Sequence, residues 1–265
     1  MNALNIVQIV FMVIFGIIVV LTIHEFGHFV FAKLFRVNVK EFSIGFGPVL
    51  FKTFTKRANM QISLRLLPFG AYVLMDSASI RKAYLDDPNA KKYNFYLRAR
   101  PHKTKLLEQV NYWKQMIIMF GGILFNFLAF AIFLGVVKAV QPNVFLQISL
   151  FVKNLFVSIG QSFVLYSLWP REAVAGAGND IPPSVFTQRP DAFLLLSSLL
   201  SINLATGIVN FIPIAPLDGW KIMQLTYEKI SRKPLPEKLL VVLSIIGLIV
   251  VFWITIGSII NQIVR

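Results

Sequence analysis

The stretch HEFGH at residues 24–28 decides how the chain is interpreted, and it follows a long apolar run, IVQIVFMVIFGIIVV at residues 6–20. Two histidines four residues apart on a helix point the same way, so His24 and His28 can bind one metal ion. Glu25 lies within reach of a water at that metal. Because Gln8 is the only strongly polar side chain in the preceding run, the motif predicts a metal site on a membrane-spanning helix.

The composition independently indicates a membrane protein. Of 265 residues, 56% are hydrophobic and only 14% are charged, with a mean hydropathy of +0.69. These values are too apolar for a soluble domain of this length. Cysteine is absent, which excludes a disulfide framework and a thiolate metal site. His, Asp and Glu therefore remain as the strong zinc ligands.

The distribution of basic residues predicts the orientation in the membrane. Between Asn38 and Gln115 there are fourteen Lys or Arg residues and five Asp or Glu residues. Such an excess is typical of a cytoplasmic loop, so the N- and C-termini are expected outside the cell membrane and the metal site near the cytoplasmic face. The net charge of +14 thus indicates contact with the lipid bilayer, and nucleic acid is not an expected partner.

The apolar runs predict one α-helical polytopic membrane domain over residues 1–265. Its four transmembrane helices are expected at about 6–35, 112–139, 192–212 and 239–260. A cytoplasmic segment follows the first helix over about 37–110, and the alternating residues at 41–75 predict a β-hairpin dipping back toward the membrane. Residues 144–169 predict an amphipathic helix on the outer surface, since a further crossing would place the basic loop around Lys229 outside.

A third metal ligand is predicted from depth in the membrane. A catalytic zinc keeps one position for water and takes three protein ligands, of which HEFGH supplies two. Pro213 and Pro216 break the third helix where it reaches the cytoplasmic side, and Asp218 follows directly. We therefore expect one zinc ion per chain on His24, His28 and Asp218. Glu25 would take a proton from the water that attacks a peptide carbonyl.

Five stretches of the sequence carry a family resemblance: HEFGH at 24–28, EFSIGFGP at 41–48, SLRLLPFGAYVLM at 63–75, GGILFN at 121–126 and SINLATGIVNFIPIAPLDG at 201–219. Together they resemble the site-2 protease family of intramembrane zinc metalloproteases, especially the branch like the regulator-of-sigma-E protease. The resemblance implies the same ligands and base, and substrates that are membrane-anchored, such as anti-sigma factors and signal-peptide remnants. That branch usually carries a PDZ domain in the outer loop, and the interval 140–191 is too short and too apolar for one.

The resemblance also implies substrate contacts, including a hairpin that holds substrate as an added strand. The residues expected to line this path are Asn126, Asn210, Pro213, Gly45, Phe46, Gly47 and Gly70. The two asparagines could equally make hydrogen bonds between helices. Other functions stay open on the residues alone: a transporter with a broken helix, a catalytically dead scaffold, or a membrane-bound enzyme that cuts a soluble substrate.

Overall fold

The computed structural model describes residues 3–55, 60–85, 103–140 and 192–263, and these form a mostly helical protein with a small antiparallel sheet. The helices are α1 (Ala3–Leu34), α2 (Ala78–Leu85), α3 (Tyr112–Val140), α4 (Ala192–Val209), α5 (Asp218–Ser231) and α6 (Glu237–Ile263), and the strands are β1 (Val39–Thr55) and β2 (Met60–Met75). A short 3-10 turn spans Leu107–Gln109. The amphipathic helix expected at 144–169, and the interval that bears on a PDZ domain, lie outside the described residues.

Two of the described helices are long and apolar enough to cross a membrane, over Ile14–Leu34 and Tyr112–Ala139. Apolar side chains cover much of their outward surface: Phe11 is 69% exposed on α1 and Ile132 is 66% exposed on α3. Ile249 of α6 is 61% exposed in the same manner. A surface of this kind suits a hydrocarbon surrounding better than water.

Helices α1 and α3 touch backbone to backbone. A Cβ atom added to Gly27 would lie 2.1 Å from the carbonyl oxygen of Gly121, and one added to Gly121 would lie 2.7 Å from the carbonyl oxygen of Gly27. Small residues at a helix crossing permit this close approach in apolar surroundings. The crossing lies beside His28, so it sets the distance between the HEFGH motif and α3.

The end of the third predicted span differs from the sequence expectation. Helix α4 ends at Val209, three residues before the expected end at 212. The N–H groups of Phe211 and Ile212 donate to carbonyls three residues back, at 3.1 and 3.0 Å, which tightens the last turn ahead of Pro213. Proline has no N–H and cannot continue the helix.

A helix also stands where the sequence suggested only a cytoplasmic connection. Helix α5 starts at Asp218 and runs for 14 residues, ending before Arg232 in the left-handed region at φ 55°. Ile222 and Leu225 pack against the core formed by the ends of α1 and α3, while Ile230 on the other side is 78% exposed. The short amphipathic pattern of α5 was obscured by the more apolar segments on either side.

The two strands form a sheet that is wider than a simple hairpin. Residues 41–44 of β1 pair on one side with residues 71–74 of β2 and on the other side with residues 61–64. Residues 61–64 pair in turn with residues 51–54. The two long strands therefore bend so that four segments lie side by side, with residues 71–74 at the edge nearest α1.

Candidate active site

Side chains from α1 and α5 converge on one buried point. Oδ2 of Asp218 lies 2.9 Å from Nε2 of His24 and 3.0 Å from Nε2 of His28. The two Nε2 atoms are 3.2 Å apart. All three side chains are buried, at 5 to 6% exposure. The structure thus brings together the three residues that the sequence singled out as ligands.

The backbone of α3 determines which nitrogen of His28 carries the proton. Nδ1 of His28 lies 2.7 Å from the carbonyl oxygen of Ile118. Because a carbonyl only accepts hydrogen bonds, Nδ1 is the protonated nitrogen of the neutral ring. Nε2 consequently directs a lone pair toward Asp218. An outer hydrogen bond of this kind is the usual means of orienting a histidine that binds a metal.

Asp218 reaches this point because the chain after α4 is folded back tightly. The N–H of Gly219 donates to the carbonyl oxygen of Asn210 at 2.7 Å, closing the loop that contains Pro213 and Pro216. A Cβ atom on Gly219 would lie 2.5 Å from the carbonyl oxygen of Ile212, so only glycine fits here. The loop therefore delivers the first residue of α5 directly to the histidines.

The three atoms have the spacing that a tetrahedral zinc ion requires. Zinc bonds of about 2.0–2.1 Å in a tetrahedron separate neighbouring ligand atoms by about 3.3 Å, close to the 2.9 to 3.2 Å found. Gly122 of α3 leaves the necessary room, because a Cβ atom there would lie 2.5 Å from Nε2 of His28 and 2.7 Å from Nε2 of His24. The residues present therefore fit a metal ion, which would lie between the three converging acceptor atoms.

Glu25 is held beside the histidines by the edge of the sheet. The ligand atoms of His24, Glu25 and His28 all lie within 4.8 Å of one another. Oε2 of Glu25 accepts a hydrogen bond from the backbone N–H of Val73 at 3.0 Å. The HEFGH motif on α1 and the edge segment of β2 are thus joined directly.

Asn126 lies behind the metal-binding atoms. Its side chain is fully buried, with Nδ2 3.3 Å from Nδ1 of His24 and Oδ1 without a hydrogen-bond partner among the described residues. An amide can present either of its two atoms at nearly the same position. With the oxygen turned toward His24, Asn126 would accept a hydrogen bond from the Nδ1–H of His24, which leaves Nε2 of His24 with a lone pair.

The other predicted substrate contacts occupy two places. Asn210 bonds its own helix, with Nδ2 donating to the carbonyl oxygen of Thr206 at 3.0 Å, and Pro213 is exposed in the loop before Asp218. In the sheet, the ring of Phe46 lies against Gly70, whose added Cβ would be 2.6 Å from that ring. Gly45, Gly47 and Gly70 have φ angles of 85°, 78° and 148°, which favour glycine.

The sequence interpretation missed the contributions of Ile118 and Gly122 to this site, whereas Asn126 was expected there as a substrate contact or as a hydrogen-bond partner between helices. Ile118, Gly122 and Asn126 stand four residues apart on α3 and face α1 as one row. Their i, i+4 spacing was a usable signal once α3 was known to pack on HEFGH. The N–H of Val73 could not have been found, since every non-proline residue has one.

Comparison with known proteins agrees with this geometry. Residues 11–254 match the model of the family described as Peptidase family M50. Because the match extends over most of the chain, this protein belongs to that family. A buried cluster of His, His and Asp with a glutamate beside it is typical of metal-dependent hydrolases.

Individual relatives match parts of the chain. A Thermotoga maritima protein named "Putative zinc metalloprotease" is 36% identical over 122 residues, which is 44% of this chain and 21% of the relative. A similarly named Streptococcus pyogenes protein is 48% identical over 67 residues, 25% of this chain and 15% of the relative. A Fusobacterium nucleatum protein is 29% identical over 125 residues, 47% of this chain and 31% of the relative. The matched regions thus span less than a third of these relatives.

Proposed function

We propose that this protein is a zinc-dependent endopeptidase that cleaves peptide bonds within or near the transmembrane segments of membrane-anchored substrates. The observation that carries the proposal is the convergence of His24, His28 and Asp218 to within 3.2 Å beside Glu25. Membership of Peptidase family M50 and the names of the relatives support a zinc protease. In this proposal the three converging residues are the ligands of one zinc ion per chain.

Bound zinc would supply a Lewis acid for the peptide carbonyl and an activated water. Glu25 takes a proton from the water while the water oxygen bonds to the carbonyl carbon. It then gives that proton to the nitrogen of the breaking C–N bond, so that a carboxyl and an amine leave. The buried ring of His28 is held by Ile118 throughout, which keeps its Nε2 directed at the reaction centre.

We further propose that the substrate binds as an extended strand along the edge of β2. In an antiparallel ladder, alternate residues direct their N–H and C=O groups to opposite sides. Asp76 donates inward to Asn38 at 2.7 Å, whereas Val73 donates outward to Glu25. Ala71 and Met75 share the outward direction of Val73. A transmembrane segment that unwinds here could pair with these groups, and scission would then occur beside Glu25.

The proposed setting is the cell membrane, with four transmembrane helices, both termini outside and the metal site near the cytoplasmic face. Two candidate spans in the structure and the basic loop between them support this arrangement. The hairpin then dips into the membrane beside α1, where an apolar side chain such as Leu66, 53% exposed, contacts lipid or substrate. The partners are the bilayer and a transmembrane or signal-peptide segment.

The test is cleavage of a membrane-anchored peptide by the purified protein in detergent. We expect Glu25→Gln to lower the cleavage rate by about 100- to 10,000-fold, as expected for removal of a general base. Zinc content measured by atomic emission should remain at one ion per chain, because Glu25 is not a ligand.

Glu237→Gln is the matched control, since Glu237 is an exposed carboxylate that pairs only with Lys82 among the described residues. Its cleavage rate should equal that of the native protein. Undiminished cleavage by Glu25→Gln would refute the mechanism, and a native protein that binds no zinc would refute the site. Cleavage of a soluble peptide at the same rate as the anchored one would refute the membrane specificity.

A further inference from the structure

A basic pocket lies where α1 ends and α3 begins, away from the metal-binding cluster. Its volume is about 320 Å³. The side chains that line it are Leu34, Phe35, Arg36, Lys103, Lys105 and Lys114. The four ionisable residues of this lining, one arginine and three lysines, are therefore all cationic. In the described ranges of the chain, none of the four forms an ion pair with an acidic side chain.

Backbone hydrogen bonds fix the walls of the pocket. The N–H of Lys105 donates to the carbonyl oxygen of Arg36 at 2.9 Å, and the N–H of Asn38 donates to the carbonyl oxygen of Lys105 at 3.0 Å. Arg36 and Lys103 both have left-handed backbones, with φ angles of 62° and 75°. A non-glycine residue in this region is disfavoured, and such residues concentrate at ligand-binding sites.

The pocket lies at the level where both candidate spans end. Leu34 is the last residue of one span and Tyr112 is the first residue of the other. Leu34 is 65% exposed and Trp113, next to Lys114, is 69% exposed. Tryptophan is enriched at the boundary between hydrocarbon and headgroups. If both helices cross a membrane, the four cations therefore lie at the depth of the lipid phosphates.

We propose that this pocket binds the phosphate of an anionic phospholipid headgroup. Arg36 and the three lysines provide several N–H donors and a concentrated positive charge for one phosphate. Leu34 and Phe35 offer an apolar wall for the adjoining glycerol and upper acyl chains. Free phosphate carries the same charged group but has no apolar part that contacts this wall. The proposal depends on membrane insertion of α1 and α3, and it is independent of peptide cleavage.

The experiment measures lipid retention by the purified full-length protein. Detergent-solubilised protein is mixed with phosphatidylglycerol or with phosphatidylcholine, and native mass spectrometry counts the lipids that remain bound. We expect one tightly retained phosphatidylglycerol and no equivalent phosphatidylcholine. The double variant Lys103→Gln/Lys105→Gln should bind phosphatidylglycerol about 25-fold more weakly, since each basic residue near an anionic surface contributes about fivefold.

A second double variant separates this pocket from general basicity. Lys229→Gln/Lys233→Gln removes the same charge from exposed lysines outside the pocket and should retain the lipid as the native protein does. Lys103→Arg/Lys105→Arg keeps the charge and should also retain it, which shows that loss of binding does not come from misfolding. Equal weakening in both glutamine variants would overturn the proposal, because binding would then reflect overall charge.

Inorganic phosphate distinguishes the two sources of the phosphate group. Added at the same concentration as the lipid, it should displace little phosphatidylglycerol. Complete displacement would overturn the lipid assignment, because the pocket would then recognise free phosphate. The measurement uses no substrate, so its outcome does not depend on whether the protein is a protease.

Discussion

The buried carboxylates of this protein fall into two groups that differ in what lies opposite them. In the sheet, fully buried Glu41 accepts hydrogen bonds from Ser63 and from Arg65, the latter at 2.9 Å. Asp76 is held by Arg81 through two bonds of 2.7 Å. Between the helices, Asp218 faces two imidazole rings, and no Lys or Arg of the described residues forms an ion pair with it.

The difference separates carboxylates that are balanced by nearby cations from one that faces two histidines. Burying a carboxylate is costly unless a cation or several donors lie against it. At the sheet, Lys40 and Arg65 of the strands and Arg81 of α2 supply the cations that balance these carboxylates. The helical cluster instead joins a carboxylate to the lone pair of His28, an arrangement that an external cation would complete.

The largest effect is expected from a substitution in the helical cluster, where it tests this comparison. Asp218→Asn removes the charged ligand, so zinc should bind at least about 100-fold more weakly and peptide cleavage should be lost. The free energy of unfolding of the metal-free variant should lie within about 1 kcal/mol of that of the metal-free native protein, because the substitution leaves no cation without its carboxylate partner. Equilibrium dialysis against zinc and thermal unfolding provide the two measurements.

The same substitution at Asp76 is the matched control and should have the reverse outcome. Asp76→Asn leaves zinc affinity unchanged but costs about 2–3 kcal/mol in the free energy of unfolding, since Arg81 and Lys40 lose their ion pairs with Asp76. If Asp76→Asn lost zinc as fully as Asp218→Asn, the division into two kinds of carboxylate would be wrong.

Gly122→Ala is the next strongest test, because it adds one methyl group at the metal-binding atoms. That Cβ would lie 2.5 Å from Nε2 of His28. We expect zinc affinity to fall by about 10- to 100-fold, comparable to disturbance of a supporting residue. Gly135→Ala on the same helix has nothing within 4 Å of its new Cβ and should leave zinc binding intact. Equal affinities for the two variants would contradict the geometry.

A smaller effect is expected from the link between the sheet and the base. Val73→Pro deletes the N–H that donates to Glu25, and proline is tolerated where an edge N–H faces outward. We expect kcat to fall by about tenfold while zinc content is unchanged, because Glu25 loses its fixed orientation. Val73→Ala keeps the N–H and should retain native kcat. A Val73→Pro enzyme with native kcat would show that this hydrogen bond does not matter.

The smallest effect concerns acid stability in the sheet region. Burial alone would raise the pKa of Asp76, but hydrogen bonds from Arg81 and Asn38 and the charge of Lys40 hold the pKa below its ordinary value of 3.8. A lowered pKa contributes stability that is complete above pH 4 and is lost as pH falls through the folded-state value. The difference in unfolding free energy between native protein and Asp76→Asn should be constant near neutrality and shrink below about pH 4. If this difference in unfolding free energy grew at acidic pH, the lowered pKa of Asp76 would be wrong.

The sequence was sufficient for those parts that depend on local pattern. HEFGH sets its own i, i+4 geometry, and the prolines before Asp218 locate the end of α4 to within three residues of the expected position. The doubled pairing of residues 41–44 was not predictable, because the bend of two long strands depends on contacts distant in sequence. The donation from Val73 to Glu25 joins residues 48 positions apart for the same reason.

The glycine contact between α1 and α3 constrains how a substrate can enter. With Gly27 and Gly121 in backbone contact, sliding either helix by one residue would push a side chain into a carbonyl group. The crossing therefore fixes both histidines relative to the carbonyl of Ile118. In the proposed protease, an opening for a membrane segment would then form elsewhere, by displacement of the sheet edge or of the loop that carries Asp218. Two glycines that bind nothing themselves would thus decide the route of entry into the site.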